Sequence, residues 1–328
     1  MAQATPIETR AAPAARAAIA VPGLIFGVLA VLPLATLAEP SNYLIDFGTR
    51  IMTFAIAAVA LDLIVGYGAL VSFGHAAFIG LGAYAVGILA AHGIGEVLIS
   101  LPTALAAAVL FALVTGAISL RTRGVYFIMI TLAFGQMAFF TASSLAPYGG
   151  DDGLTIAARN TLIGLPIFKY PRVLYYIVLA ALAGTFFLCR AIVASRFGRV
   201  LRGAKENATR MATLGFEVYR FQLVAYAISG ALCGLAGFLL ANANDFVSPG
   251  YMSWQRSGEL IIMVLLGGIG TLYGAIIGAA AYLLIAEFLS RFTEYWQVIF
   301  GPFLVLVVLF GRGGLIGLVA QLTGKRRG

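Results

Sequence analysis

Apolar positions in this chain run in long unbroken blocks, not in the alternation of a strand or the single stripe of a surface helix. Ten blocks are separated by short polar breaks, at about 18–38, 44–65, 69–91, 97–120, 125–146, 173–194, 221–242, 257–269, 272–290 and 295–311. A helix that crosses a bilayer needs roughly 20 mainly apolar residues, and eight blocks reach or approach that length. The pattern predicts an all-α polytopic membrane protein of about ten helical segments, some broken or short. The pair at 257–269 and 272–290 could equally form a re-entrant hairpin without altering the parity.

One stretch breaks the pattern. Gly198 to Phe221 (GRVLRGAKENATRMATLGFEVYRF) is a long polar run between two apolar blocks, and seven basic residues lie between Arg190 and Arg220 against Glu206 and Glu217. Leu201, Ala204, Ala208, Met211 and Ala212 share one side at helical spacing, while Arg199, Arg202, Lys205, Glu206 and Arg210 largely fall elsewhere. This predicts a short amphipathic helix closed by Gly215. Two readings stand for it, a solvated loop that orients the protein and a coupling helix that docks on another subunit.

Composition agrees with the pattern. The chain is 61% hydrophobic and 10% charged, far below the charged share of about a quarter in soluble domains. On the ten-segment model 15 of the 21 Lys and Arg fall on one side, which the positive-inside tendency makes cytoplasmic, together with both termini. The expected organisation is a cytoplasmic tail over 1–17, a transmembrane domain over 18–311 with the polar loop at about 195–220, and a cytoplasmic tail over 312–328. A net charge of +8 reads as orientation and not as nucleic-acid binding. Cys189 and Cys233 sit in apolar runs with no Cys/His cluster, so buried thiols are expected and no metal site.

Polar and small residues inside the blocks are the candidate chemistry. Gly66 to Leu89 holds five further glycines (Gly68, Gly74, Gly80, Gly82, Gly87) with Ser72, His75 and Tyr84 among them. Repeated glycine points either to close helix packing or to a broken helix that lines a polar path. Thr131 and Gln136 are the polar groups of the block after Arg121. Gly270, Gly274 and Gly278 form a GxxxGxxxG ridge, and Gly267, Gly268 and Gly270 interrupt the helix midway. Gly230 and Gly234 read as packing. Asp151 and Asp152 read as a solvated turn of an ordered outer loop, with a docking contact as the alternative. Asp62, Glu259 and Glu287 fall near block ends, where a charge costs less, and this weakens an ion-driven mechanism. No GxxxxGK[ST] phosphate loop, HExxH or Ser/His/Asp set is present, so neither nucleotide hydrolysis nor intramembrane catalysis is expected of these residues.

Five motifs in order, GYGALVSFGHAAFIGLGAY (66–84), RTRGVYFIMITLAFGQM (121–137), GGDDGLT (149–155), SRFGRVLRGAKENATRMATLGF (195–216) and GELIIMVLLGGIGTLYGAIIGA (258–279), resemble the LivM-type permease subunit of branched-chain amino acid ABC importers. The likeness runs from about residue 40 to 311. It implies an ABC-importer permease in a bacterial inner membrane, paired with a LivH-type second permease, two cytoplasmic ATPase subunits that bind the ATP, and a periplasmic substrate-binding protein. Loop 195–216 would match the family's ATPase-contacting loop, with Arg199, Arg202, Glu206, Ala208 and Gly215 as coupling residues, although no strict EAAxxxG run is present. Ser72, His75, Tyr84, Thr131 and Gln136 are the candidate translocation path. Related permeases carry urea and other amides, so the resemblance leaves the substrate open, and an ion-coupled secondary transporter stands as the rival class.

Overall fold

A computed structural model describes residues 11–35, 43–156, 159–293, 295–310, 313–315 and 317. These residues form eleven α-helices: α1 (Ala11–Ala35), α2 (Tyr43–Gly68), α3 (His75–Ala91), α4 (Val97–Ser119), α5 (Val125–Ser143), α6 (Pro171–Ala194), α7 (Arg196–Thr213), α8 (Val218–Asn244), α9 (Trp254–Gly267), α10 (Leu272–Ser290) and α11 (Trp296–Phe310). Ten of them are the ten apolar blocks, and α7 is the polar run. Six (α2, α4, α5, α6, α8 and α10) are long and apolar enough to cross a membrane, and shorter apolar helices lie at Val21–Pro33, His75–Ala91 and Trp296–Val307.

The centre of the bundle is α2, which is apolar on every side and enclosed on every side. It packs against α6, α8, α9 and α10. On the far side of α8 lie α3 and α4. Small residues set these approaches. A Cβ on Gly230 would stand 2.7 Å from the Ala112 Cβ, and one on Gly234 would stand 2.6 Å from the Ala108 Cβ, so α4 and α8 meet backbone to backbone. Gly82 of α3 faces the Gly234 carbonyl, and Gly237 of α8 faces the Ile79 carbonyl. Cys189 and Cys233 are both buried free thiols.

Several boundaries differ from those expected. Residues 11–17 are the first part of α1, whereas residues 1–10 and all of 312–328 except 313–315 and 317 lie outside the described residues. The block at 69–91 starts its helix only at His75, because α2 runs on to Gly68 and Ala69 turns the chain with a left-handed φ of +54°. The Leu70 amide then reaches back to the Ile64 carbonyl at 3.1 Å, which closes the end of α2. Gly270 takes no part in a helical ridge; its φ is +77°, and it forms the tip between α9 and α10 with Gly268 at +113°. The close approach inside that hairpin belongs to Gly267, Gly274 and Gly278. With 14 residues, α9 is about 21 Å long, short of a hydrocarbon core of about 30 Å.

Opposite the α7 end, the segment after α5 folds as an ordered cap. Strand β1 (Leu154–Thr155) pairs antiparallel with β2 (Phe246–Val247), Leu154 opposite Val247. Arg159 grips the Asp245 carboxylate through Nε at 2.8 Å and NH2 at 2.8 Å, and its NH1 donates to the Phe168 carbonyl. The hydrogen-bonded carboxylate holds the guanidinium charged even above the usual arginine range. The Asn160 amide donates to Asn242 Oδ1, and Glu96 accepts from the Ile163 and Gly164 amides. Asp151 and Asp152 lie exposed in a short 3-10 turn.

Gly237→Val is expected to lower the thermal stability of the detergent-extracted protein by about 3 kcal/mol or more, since its branches would meet the Ile79 carbonyl. Gly184→Ala, with nothing within 4 Å, serves as the control and should match or exceed the unaltered protein. Thermal melting of a fluorescent fusion reads both.

Candidate functional site

The α7 end gathers most of the sequence-singled residues. Ser195 is the N-cap of α7 and accepts from the Gly198 amide. Val200, Leu201 and Ala204 are buried against the bundle, but the expected apolar face stops there. At Asn207 the backbone leaves the helix (φ −156°, ψ 97°), and the Asn207 Oδ1 accepts from the Arg210 amide at 2.9 Å. α7 is therefore two helical pieces, the second capped by Asn207, and Ala212 is exposed in consequence. The two pieces fold close together, since a Cβ on Gly203 would stand 2.6 Å from Met211 Sδ. Gly215 ends the second piece with φ +87° and open space around it.

Two of the loop's cations turn inward and bind the ends of other helices. Arg202 donates through NH2 to the Val193 carbonyl at 3.1 Å, in the last turn of α6. Lys205 donates through Nζ to the Gly66 carbonyl at 2.7 Å, in the last turn of α2. Carbonyls left over at a helix C-terminus carry partial negative charge, so each cation is placed where it stabilises most. Arg199, Glu206 and Gly215 are exposed and form the outward side of the element, whereas Ala208 is half-buried and faces a cavity together with Lys205.

Asp62 is the buried charge nearest this end. Because α2 continues to Gly68, its carboxylate is not at a boundary but fully enclosed by protein. Its Oδ1 accepts from the Gly270 amide at 2.7 Å, while Oδ2 has no partner. Tyr67 donates to the Gly270 carbonyl at 2.8 Å, so both polar backbone groups of the hairpin tip are held by α2. Glu259 pairs with Arg256 at 2.7 Å, and Glu287 accepts from Tyr43 at 2.5 Å with Arg291 at 3.6 Å. Asp62, Gly66, Lys205 and Gly270 form a cluster that residue patterns did not single out as a unit; a charge inside an apolar block was its one visible sign.

The candidate path residues divide into two places. His75 is fully buried, with Nε2 at 3.1 Å from Ser229 Oγ and its ring edge-on to Phe78 and Tyr226. Ser72 is buried and accepts from the Gly74 amide. Thr131 accepts from the Phe73 amide at 3.2 Å and donates to the Ile128 carbonyl. These three sit together around the non-helical link 69–74. Tyr84 lies about 13 Å further along α3, with a buried hydroxyl that has no partner, whereas Gln136 is half-buried on α5 next to Gly135, which packs against Phe73 and Gly74 of the link. A cavity of about 260 Å³ opens beside the link, lined among others by Gly68, Leu70, Thr122, Arg123, Lys205 and Gln222.

Residues 43–309 match the family model described as the permease component of the branched-chain amino acid transport system. The chain belongs to this family. It is 26% identical to the high-affinity branched-chain amino acid transport system permease protein LivM of Escherichia coli K12, over 87% of this chain and 72% of that protein. The Pseudomonas aeruginosa permease protein BraD is 24% identical over 81% of this chain and 92% of its own length. The LivH permease protein of E. coli K12 is 34% identical over 42% of this chain and 44% of its own. No solved structure matches the chain. Membership makes it a multi-pass membrane protein of an amino-acid transport family, in keeping with the apolar helices.

Asp62→Leu would leave the Gly270 amide buried without an acceptor, a loss of about 1–3 kcal/mol, whereas Glu259→Gln at the partly exposed Arg256 pair should cost under about 1 kcal/mol. Melting of the two purified variants in the same detergent compares them. Asn207→Ala should cost about 1 kcal/mol confined to α7, seen as faster amide exchange over residues 207–214 with α2 and α8 unchanged.

Proposed function

We propose that the chain is the membrane-embedded permease subunit of an ATP-driven importer for branched-chain amino acids, and that it moves substrate by alternating access while separate subunits hydrolyse ATP. The observation that carries this reading is α7, a kinked, strongly basic helix pair seated on the ends of α2 and α6 with Arg199, Glu206 and Gly215 turned outward. Membership of a branched-chain amino acid permease family supports the substrate class, as do relatives named for that transport. In this reading the α7 end is cytoplasmic, the cap around Arg159 faces the periplasm in a bacterial inner membrane, and no covalent chemistry occurs in this chain.

The partners follow from the same reading: two ATPase subunits on the outward side of α7, a second permease beside the bundle, and a binding protein that delivers substrate to the cap. The local match to LivH proteins supports a second permease built on a similar core. Ser72, His75 and Thr131 would then act at the inner mouth of the path, above the cavity at Gly68 to Leu70, with Tyr84 and Gln136 further out.

The test is reconstitution of the chain with its co-encoded subunits in liposomes. ATP-dependent leucine, isoleucine or valine uptake establishes the reading; uptake of urea or short amides instead keeps the permease and changes the substrate. Uptake without ATP under an ion gradient overturns it. Gly215→Val forces a branched residue into a left-handed turn with open space around it, so the bundle should assemble normally while uptake falls about tenfold, measured against ATP hydrolysis in the same vesicles.

A further inference from the structure

Lys205, Gly66 and Gly270 make an unbroken line of contact from α7 to the tip of the α9–α10 hairpin. Lys205 stands in the last turn of the first piece of α7, two residues before the kink at Asn207, and its ammonium holds the Gly66 carbonyl at 2.7 Å. Gly66 in turn touches the hairpin tip so closely that a Cβ there would lie 2.7 Å from both the amide nitrogen and the Cα of Gly270, and 2.5 Å from Asp62 Oδ1. Gly270 is held at both ends by α2, through Asp62 and Tyr67.

We propose that this line is a mechanical joint, in which displacement of α7 is passed through Lys205 and the last turns of α2 to the α9–α10 tip, with Lys205 as the positioning residue. Contacts this close leave no slack, so α7 cannot shift along α2 without releasing Lys205 or moving Gly66 against Gly270. The tip is where the helical path of the hairpin breaks, with Gly268 and Gly270 at positive φ, and Gly313 and Gly314 pack against Gly268 there. Asp62 Oδ2 gives an independent sign. The oxygen is buried with no donor among the described residues, so it stays open to a donor that another arrangement of the tip would bring. The proposal rests on the reading of α7 as the element that ATPase subunits move.

The experiment uses the full transporter in liposomes, with Lys205→Met, Lys205→Arg and Arg190→Met, the last at an exposed arginine of α6 with no bond to the joint. Lys205→Met is expected to leave ATP hydrolysis within about twofold while leucine taken up per ATP falls about tenfold, Lys205→Arg to recover most of that ratio, and Arg190→Met to match the unaltered transporter. Amide exchange over residues 266–274 should change on adding ATP in the unaltered transporter and no longer do so in Lys205→Met. An unchanged uptake-to-ATP ratio in Lys205→Met, or exchange at the tip that ignores ATP in the unaltered transporter, overturns the joint. If the unaltered transporter shows no ATP-driven uptake at all, it is the proposed function that fails. The joint is then decided on the purified chain alone: faster exchange over 266–274 in Lys205→Met sustains it, and identical exchange removes it.

Discussion

Helices inside a bilayer gain nothing by hiding apolar side chains from one another, because lipid tails are as apolar as leucine. What holds this bundle together is how closely its backbones approach, and that depends on the residues with least side chain. Gly230, Gly234 and Gly237 give α8 three flat places, which receive Ala112, Ala108 and the Ile79 carbonyl. α2 is the complementary case, a helix of Ala, Ile, Val and Leu that touches protein on all sides and so sets where α6, α8 and the α9–α10 hairpin stand. Several polar groups in this interior are paired, among them His75 with Ser229 and Asp62 with the Gly270 amide, whereas the Tyr84 hydroxyl is buried without a partner.

The α7 end follows a second rule, that of unfinished helix termini. Each helix that stops there presents carbonyls with no partner in its own ladder. Arg202 and Lys205 supply donors to two of them, and these bonds join the burial of Val200, Leu201 and Ala204 in fastening a polar helix to the apolar bundle. A loop with seven basic residues thus uses its charge in two ways. Part binds inward to the helix dipoles, and the remainder, Arg199 and Arg210 among them, stays outside.

Length and continuity of the apolar blocks made ten helices legible in the residues, because hydrocarbon thickness fixes how long such a block must be. Their ends were less legible. Residues 69–73 (ALVSF) are as apolar as the helices around them, so nothing in the composition marks the turn that Ala69 makes. The kink in α7 was hidden for a similar reason: Leu201, Ala204, Ala208 and Met211 keep helical spacing straight through Asn207, and only the preference of asparagine for an N-cap hints at the break. Lys205 could not be told from its six basic neighbours, since its distinction is a partner 139 residues earlier in the chain. Of the path candidates, Ser72, His75 and Thr131 come together around one link while Tyr84 stands about 13 Å further along α3, which residue spacing had no means to decide.

The contact between Asp62 and Gly270 also bears on how the protein is made. The two residues are 208 positions apart, and at a synthesis rate of about 5–20 residues per second the ribosome delivers Gly270 roughly 10–40 s after Asp62 has left it. For that interval α2 carries an acidic side chain whose acceptor bond does not yet exist, in a helix otherwise fit to enter lipid. A nascent α2 that enters lipid in this interval does so with the carboxyl unpaired, at a cost of about 3 kcal/mol, and meets α9 and α10 only when the last third of the chain arrives. The helix at the centre of the finished bundle is in this sense among the last to settle.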